Sequence, residues 1–443
     1  MSMVIKNNMS ALTTLNGLNQ NSHNLAKSLE RVSSGMRVVG AADDVSGYAI
    51  SERMRVMIRA LGQSNDNTQT ASSMMKVADG AISSTVEILK TMKEKVLGAA
   101  NDSNTDADRL TIQKELDQSI DQIDDNANIT FNGKYLVDGS KNTRGSATYT
   151  SLTNLYLSTD TQAGTELKNL ADRNGNSLNI QTTDQVTASF VVDAKTYTTT
   201  FSASGVSLSD VVTKLNTAYQ KETGGTESPL DTTVLEDKIV GSDRNGNTVY
   251  TTTGEKGITI RSAKTGIDSQ VAGLTISVSD RTGNIKKAVN AVLDAFTESV
   301  RAEDVSQENG LVFHIGTRSN QAIRVGLTDM RSRALGLKSA DGSTLNISTQ
   351  KKANAAINVL DNALQRALYE QTTIGSIGYR MEFTSNNLTV ASDNVTNSES
   401  VYRDADMAKE MADYTRNNVL LQAAQAMLAQ ANQNGSNVLS LLQ

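Results

Sequence analysis

The chain of 443 residues contains no cysteine, no tryptophan and a single proline, Pro229. Without cysteine, disulfides, thiolate metal sites and cysteine nucleophiles are excluded. With one proline, long helices can continue without a break. Aromatic residues make up only 4% of the chain, which indicates slim aliphatic seams between helices rather than one large core.

Catalytic groups are also scarce. Only two histidines occur, His23 in a polar helical stretch and His314 in a predicted strand, and a catalytic triad needs a histidine close to a serine and an acid. The sequence has no glycine-rich phosphate loop. The carboxylate pairs Asp43–Asp44 and Asp124–Asp125 are interpreted as solvated groups of a loop and a helix end. We therefore expect no enzyme activity and no cofactor.

Charge and hydropathy limit the partners. The net charge of −6 argues against nucleic acid, which requires a basic stripe. No apolar run approaches the roughly 18 residues that a membrane span needs, so no membrane insertion is expected. The first residues, MSMVIKNNMS, lack the apolar centre of a secretory signal peptide. If the protein is exported, we expect a route that cleaves no peptide from its N-terminus.

Periodicity divides the chain into three zones. Residues 1–145 and 305–443 have helical spacing, with a break at Gly35–Gly47, where glycine, serine and aspartate gather. Residues 146–304 are rich in threonine, serine and glycine and alternate as strands do, around one short helix at LSDVVTKLNTAYQK. The predicted fold class is mainly α, with a β-rich domain inserted between paired N- and C-terminal long helices.

The terminal helices carry apolar stripes, and the C-terminal one repeats every seven residues. Methionines on helical stripes are interpreted as packing residues. The stripes fit either a coiled coil within one chain or contacts between chains, and heterologous contacts that do not close produce filaments. The candidate packing residues are Leu12, Leu15, Leu18, Leu25, Leu29, Val32, Met407, Met411, Tyr414, Leu421, Leu428, Val438, Leu439 and Leu442.

The pentapeptide DRNGN occurs twice, at 172–176 and 243–247. Its Asp-x-Asn-x-Asn spacing is compatible with a calcium loop. However, the usual glycine is replaced by Ser177 or Thr248, and the bidentate glutamate by Thr183 or Gly254. Asn-Gly turns are the favoured interpretation, and no metal site is expected.

Three segments resemble bacterial flagellins. SLERVSSGMRVVGAADDVSGYAISERM at 28–54 is similar to their N-terminal signature, and ANQNGSNVLSLLQ at 431–443 to their C-terminus; FNGKYL at 131–136 agrees. The resemblance covers roughly residues 1–140 and 310–443. It implies a non-enzymatic subunit that polymerises with itself into the flagellar filament for motility.

The resemblance also implies a route and a domain plan. Subunits of this family leave the cell unfolded through the flagellar type III route, are engaged by an export chaperone through the C-terminal helices, and assemble under the filament cap outside the cell. Residues 1–45 and 404–443 would form the inner tube, 46–145 and 305–403 the outer tube, and 146–304 a variable surface-exposed insert.

Two residue sets are carried over from the family. The first is the spoke between the tubes, where Arg37 is expected to pair with carboxylates of neighbouring subunits. It comprises Ser33, Ser34, Gly35, Arg37, Asp43, Asp44 and Gly47. The second is the surface that a vertebrate Toll-class receptor recognises in many flagellins. At the positions where those flagellins have arginine and leucine, this sequence has Thr91 and Lys95. Glu115 matches the glutamate of the family's receptor surface. Receptor activation is therefore expected to be weak.

Two alternatives stay open on sequence alone. A hook–filament junction protein shares the terminal motifs, although such proteins commonly have proline after the Asp-Asp pair, where Val45 stands here. An enzyme carried in the insert, as in family members with metallopeptidase inserts, would need a His-Glu-x-x-His motif. Residues 146–304 contain no histidine at all.

Overall fold

The computed structural model describes the backbone of residues 8–440 and the side chains of residues 8–433. The chain forms two compact units. Within the described residues, the terminal unit comprises 8–69, 314–321 and 383–440, and the central unit comprises 70–313 and 322–382.

Four long helices lie toward the two ends of the chain. They are α1 (Met9–Ser34), α2 (Val45–Ala99), α6 (Gln350–Arg403) and α7 (Met407–Ser440). The predicted break after α1 is present: Gly35 has φ 70°, which only glycine adopts without strain, and its N–H donates to the Arg31 carbonyl at 2.8 Å. The terminal unit contains α1, α7 and the adjoining parts of α2 and α6.

The central unit adds three helices to its parts of α2 and α6. They are α3 (Asp106–Ala127), α4 (Leu208–Thr223) and α5 (Lys287–Leu293). The amphipathic helix predicted at LSDVVTKLNTAYQK is α4, which begins with a capping box between Ser207 and Asp210. Its apolar face lies in a core with Phe190 and Tyr197.

Thirteen strands are found among the described residues. They are β1 (Thr130–Phe131), β2 (Lys134–Tyr135), β3 (Ser151–Asn154), β4 (Gln185–Val192), β5 (Lys195–Ser202), β6 (Leu235–Asp237), β7 (Ile239–Ser242), β8 (Thr248–Tyr250), β9 (Gly257–Arg261), β10 (Val271–Ser279), β11 (Phe296–Val300), β12 (Leu311–His314) and β13 (Ala322–Val325). The insert contains two larger sheets, one in the order β10-β4-β5 and one in the order β11-β3-β9-β6, and a two-stranded sheet of β7 and β8; all these pairings are antiparallel. The predicted fold class is confirmed.

The two DRNGN segments are tight loops held by their own side chains. Asp172 Oδ1 accepts the N–H groups of Asn174 and Asn176, and Asn176 Nδ2 donates to Asp172 Oδ2 at 3.0 Å. The Asp243 loop has the same bonds, and so has the loop that begins at Asp280, which the sequence analysis missed. The Asn side chain thus occupies a carboxylate oxygen that a calcium ion would need. Among the described residues no cluster of histidine, aspartate and glutamate suits a metal.

Asp124 is bound rather than solvated. Its carboxylate accepts the backbone N–H and the hydroxyl of Ser332, both at 2.8 Å. Both groups belong to the central unit. The interpretation of Asp124 as a solvated helix-end carboxylate was therefore wrong, because its partner lies about 200 residues away in sequence and leaves no local signal.

Asp294 ends α5 in a half-buried position. Burial raises the pKa of its carboxyl to about 6, although the Ile276 N–H and the Asn358 amide group donate to Oδ1 at 3.3 and 3.5 Å and act in the opposite direction. The folded chain thus binds this proton more tightly than the unfolded chain does. Stability contributed by the protonated form is present at low pH and is lost as the pH rises from about 4 to 6.

We expect Asp294→Asn to raise the free energy of unfolding above pH 6, because asparagine keeps an acceptor without a buried charge. The gain should approach about 3 kcal/mol at pH 7.5 and vanish near pH 3.5, where both forms are neutral. Thermal unfolding followed by circular dichroism from pH 3.5 to 8 measures it, with exposed Asp160→Asn as control. An equal gain at both pH extremes would contradict an ionisation effect.

Candidate assembly interface

The helices α1 and α7 lie side by side in antiparallel order. Asn8 Nδ2 donates to the Ala431 carbonyl at 3.2 Å, and Asn21 Nδ2 donates to the Leu420 carbonyl at 3.4 Å. Further along, Asn417 Nδ2 donates to the Ser28 hydroxyl at 2.9 Å. The first and the last helix that the structure describes therefore form one two-helix structure.

The residues that face each other between these helices form a narrow seam in which larger side chains alternate with small or polar ones. On both helices they recur at the three- and four-residue spacing of a coiled coil. The seam consists of Ala11, Thr14, Leu18, Asn21, Leu25, Ser28 and Val32 on α1, and Glu410, Tyr414, Asn417, Leu421, Ala424, Leu428 and Ala431 on α7.

The candidate packing residues divide into two groups. The half-buried ones lie in the seam: Leu18, Leu25, Val32, Tyr414, Leu421 and Leu428. The other described candidates are exposed to solvent: Leu12, Leu15, Leu29, Met407 and Met411. About half of the surface of Leu12 (53%) and of Leu29 (52%) is accessible to water. Val438, Leu439 and Leu442 lie outside the residues whose side chains are described. The sequence analysis followed the leucines and so missed the small and polar residues that alternate with them in the seam.

The exposed apolar side chains of α1 and α7 form what we call the outer apolar set. Besides the five exposed candidates it includes Met9, Val419, Leu420 and Met427. A large exposed apolar surface on a protein marks an interaction site, because water contact with it is unfavourable. The described part of the terminal unit supplies no cover for these side chains.

A backbone joint connects the end of α1 to the start of α7. The Arg37 N–H donates to the Arg403 carbonyl at 2.7 Å, and the Ala405 N–H donates to the Gly35 carbonyl at 2.9 Å. The Arg37 guanidinium donates to the Tyr402 carbonyl at 2.9 Å, at the C-terminus of α6, where a cation is favoured. Arg37 was expected to bind carboxylates of a neighbour; within its own chain it binds carbonyls.

Arg403 is the buried centre of this joint. Its Nη1 donates to Glu52 Oε1 at 2.6 Å, its Nε donates to Met36 Sδ at 3.2 Å, and its guanidinium lies over the Tyr48 ring. The same hydrogen bond holds the pKa of the Glu52 carboxyl below its usual value. The sequence analysis missed Arg403, since its partners lie more than 350 residues away.

Charged groups fix the loop between α1 and α2. Asp43 Oδ1 lies 2.7 Å from Lys27 Nζ, while Oδ2 accepts the N–H groups of Val39 and Gly40. The Lys27 ammonium and these N–H groups hold the pKa of the Asp43 carboxyl below its usual value. The interpretation of Asp43 as solvated was therefore wrong, because three donors from two segments converge on it.

The remaining spoke residues shape the two helix ends. Asp44 Oδ1 accepts the Gly47 N–H at 2.9 Å, and a Cβ at Gly47 would lie 2.2 Å from Asp44 Oδ2, so a side chain there would displace this cap. Ser34 Oγ accepts the Met36 N–H at 3.3 Å, and Ser33 is exposed at the end of α1. These residues lie close together along the chain at the joint.

The receptor candidates lie in the central unit. Thr91 is exposed on α2, and its hydroxyl donates to the Glu87 carbonyl of the same helix at 3.0 Å. Lys95 Nζ lies 3.1 Å from Glu115 Oε1 of α3, and both side chains are about half exposed. The lysine therefore pairs with the carboxylate that the sequence analysis assigned to the receptor surface.

No helix that the structure describes is both long enough and apolar enough to span a membrane.

Comparison with known proteins matches two family models. The model described as the bacterial flagellin N-terminal helical region matches residues 5–142, and the bacterial flagellin C-terminal helical region matches residues 357–442. These matches include α1, most of α6 and α7, and the joint between them.

Relatives match over nearly the whole chain. A flagellin of Clostridium tyrobutyricum is 33% identical over 441 residues, covering 97% of this chain and 99% of its own length. A flagellin of Bacillus subtilis (strain 168) is 28% identical over 460 residues, covering 99% and 100%. A solved structure, the flagellar junction protein FlgL from Legionella pneumophila, is 14% identical with a TM-score of 0.31 and covers 81% and 100%.

The resemblance read from residues 28–54 and 431–443 is thereby confirmed. With matching family models at both ends and a relative of 33% identity along nearly the full length, the chain belongs to the bacterial flagellin family.

Proposed function

We propose that the chain is a structural subunit that polymerises with itself into the flagellar filament and so serves motility. The flagellins are a family of structural proteins rather than enzymes. The observation that carries the proposal is the outer apolar set of α1 and α7, because the α1–α7 pair leaves these side chains in water. Identical copies provide the same surface repeatedly, and heterologous contacts between copies extend without closing.

The domain plan is part of the proposal. Residues 1–45 and 404–443 form the inner tube, 46–145 and 305–403 the outer tube, and 146–304 projects as a surface insert. The α1–α7 pair and the joint at Arg403 support the first assignment, since they bring both chain ends into one structure. The exposed side of the Arg37 guanidinium stays available for a carboxylate of a neighbouring copy.

The proposal also covers how the subunit leaves the cell. The subunit passes unfolded through the flagellar type III route, an export chaperone engages α7 between Met407 and Leu428, and assembly occurs under the filament cap outside the cell. The absence of cysteine supports passage as an unfolded chain, because no disulfide has to be reduced first. The outer apolar set supports chaperone binding, since it needs cover before polymerisation.

We expect polar replacement of the outer apolar set to prevent polymerisation and to leave the folded monomer intact. The test is a triple variant that combines Leu12→Ser, Leu29→Ser and Met411→Ser. Each replaced side chain should lower the favourable free energy of the contact between copies by about 1.5–3 kcal/mol, because less apolar surface is buried there. The critical concentration for seeded growth should rise at least about tenfold. Sedimentation and electron microscopy after addition of seeds or ammonium sulfate measure it.

The matched control replaces equally exposed residues of the insert: Tyr156→Ser, Tyr250→Ser, Ile285→Ser. Its critical concentration should stay that of the parent chain. Normal filaments from the first triple variant would contradict the proposed contact surface.

We expect Arg403→Ala to loosen the joint, because it removes the guanidinium that binds Glu52, Met36 and Tyr48. The free energy of unfolding of the terminal unit should fall by about 2 kcal/mol, and amide exchange at 35–38 should accelerate. Arg416→Ala, at an exposed ion pair with Asp413, is the control and should change stability by less than about 0.5 kcal/mol. Unchanged exchange at the joint would rule out this role.

Weak activation of a Toll-class receptor is also proposed, since Lys95 binds Glu115 and Thr91 offers no guanidinium. We expect Thr91→Arg with Lys95→Leu to raise potency in a receptor reporter assay at least about tenfold, because each hot-spot contact contributes on the order of 2 kcal/mol. Glu115→Ala in the same background should reverse the gain. A parent chain already as potent as the double variant would refute the proposal.

A further inference from the structure

The three-stranded sheet β10-β4-β5 of the insert has two outer strands, and α6 covers one of them, β10. Asn358 Nδ2 donates to the Leu274 carbonyl at 3.1 Å, and Asn362 Nδ2 donates to the Ala272 carbonyl at 2.8 Å. The pairing of β10 with β4 also has a register shift within 271–273. Cover by a helix and irregular pairing are two ways in which proteins keep an outer strand from pairing with another chain.

The outer strands of the four-stranded sheet β11-β3-β9-β6 are protected as well. In β11 the register shifts after Glu298, whose carboxylate accepts Arg366 Nε of α6 at 2.6 Å. The other outer strand, β6, has only three residues, and two of them are the acidic Glu236 and Asp237. Short length and charged side chains both hinder pairing along an edge. Three of the four outer strands in these two sheets therefore carry a device against further pairing.

The fourth outer strand, β5, has none of these devices between residues 196 and 202. This segment has the sequence TYTTTFS, without a charge or a proline, and it pairs with β4 residue by residue with no register shift. Threonine and aromatic residues favour the extended conformation of a strand. An outer strand of this kind is a template on which a further strand can pair.

The turn before β5 determines which backbone groups face away from β4. Asp193 and Ala194 form a two-residue hairpin turn with φ of 51° and 57°, so the next residue, Lys195, exchanges backbone hydrogen bonds with β4. Every second residue after Lys195 does the same. The Ala203 N–H, which donates to the Asp184 carbonyl at 2.9 Å, continues this pattern beyond the end of β5.

The residues between them point their backbone N–H and C=O groups outward. They are Thr196, Thr198, Thr200 and Ser202. Within the part of the chain that the structure describes, none of these backbone groups takes part in a hydrogen bond. Thr196 is buried and Thr198 is half-buried. Thr200 and Ser202 are exposed, so the accessible part of this open edge is 198–202.

We propose that segment 198–202 of β5 pairs with the same segment of a second copy, in antiparallel order about Thr200. The two Thr200 residues then lie opposite each other, and Thr198 of each copy lies opposite Ser202 of the other. All three residues present their backbone groups on the same edge, so the two strands satisfy these groups by reciprocal hydrogen bonds. Threonine and serine side chains that face each other across the strands add favourable contacts.

Charge and packing favour a second copy as the occupant. The net charge of −6 makes copies repel each other, but no charged residue occurs between Lys195 and Asp210. In the antiparallel pair Lys195 faces Gly205, so no like charges are opposed. On the side of the sheet that α4 covers, the half-buried Phe201 gains cover from Thr199 of the other copy. Salt should strengthen this contact, because it screens the repulsion.

The contact joins two filaments rather than neighbours within one filament. It is isologous and is complete with two copies, so it cannot extend a filament by itself. In a filament built from heterologous contacts, copies are related by rotation and translation along the axis and not by a two-fold axis. The β5 pair therefore connects inserts of filaments that lie side by side, a step that rests on the proposed function. One such contact is small and weak, but many inserts along two filaments act together.

Disulfide formation tests the pair, since the chain has no cysteine of its own. Chains with Thr198→Cys and chains with Ser202→Cys are mixed in equal amounts and oxidised with diamide, as concentrated soluble protein and as seeded filaments. Opposite residues have Cα atoms about 5.5 Å apart, which suits a disulfide, whereas the two residues at position 198 lie roughly 14 Å apart. The mixed disulfide should exceed each like disulfide at least about tenfold. Collision at random would give only the statistical share.

The role between filaments is measured by electron microscopy and light scattering. Thr200→Pro removes an outward N–H and no backbone hydrogen bond to β4, and lateral bundling should fall at least about tenfold. Thr200→Val keeps the N–H and should bundle like the parent chain. Both variants lose the contact of the Thr200 hydroxyl with the Thr187 hydroxyl, so they differ at the open edge alone. If the proline variant does not fold, Thr200→Lys, which opposes two ammonium groups, should give the same loss.

A statistical mixture of disulfides would overturn the β5 pair, and so would equal bundling by the proline and valine variants. Parent filaments that stay separate would overturn the lateral arrangement, as would mixed disulfides formed within isolated filaments. If the parent chain itself fails to polymerise, the proposed function fails, while the disulfide ratios of the soluble protein still decide the β5 pair.

Discussion

The α1–α7 seam is the constraint on which the account depends. It joins the first and the last described helix of a 443-residue chain through a strip of half-buried leucines, one tyrosine and several polar groups. A strip this narrow buries little apolar area, so two helices alone are only marginally stable. It also leaves Leu12, Leu29 and Met411 in water. Further copies of the chain can cover these residues. The same narrow seam that makes the isolated helix pair only marginally stable therefore leaves exposed the apolar side chains that polymerisation would bury.

The joint at Arg403 converts this pair into part of a larger unit. Two backbone hydrogen bonds connect Gly35 and Arg37 with Ala405 and Arg403, while the Arg403 side chain reaches Glu52 of α2. Asp43 binds Lys27 and two N–H groups of its own loop. Charged groups therefore direct the chain through two helix ends where apolar packing is sparse. Removal of a single buried cation there affects several segments at once.

Helical spacing and the change to alternation at residue 146 were enough to predict long terminal helices around a β-rich insert, and the helix near 208–223 followed from its own pattern. The seam was predicted only in part. Leucine stripes locate an apolar face, but they do not separate Leu25, which packs within the chain, from Leu29, which is exposed. The sequence analysis missed Arg403 and Asp294 and misinterpreted Asp124, because the surroundings of all three come from segments far away in sequence.

Footprinting with hydroxyl radicals tests the central claim most directly. The outer apolar side chains Leu12, Met411 and Met427 are exposed in the folded chain. Their oxidation rates are compared between monomer and seeded polymer, with Tyr156 and Tyr250 of the insert as internal references. The account predicts strong protection of the first three residues in the polymer and none of the two tyrosines. Equal oxidation of Leu12, Met411 and Met427 in both states, in a sample that has polymerised, would contradict it.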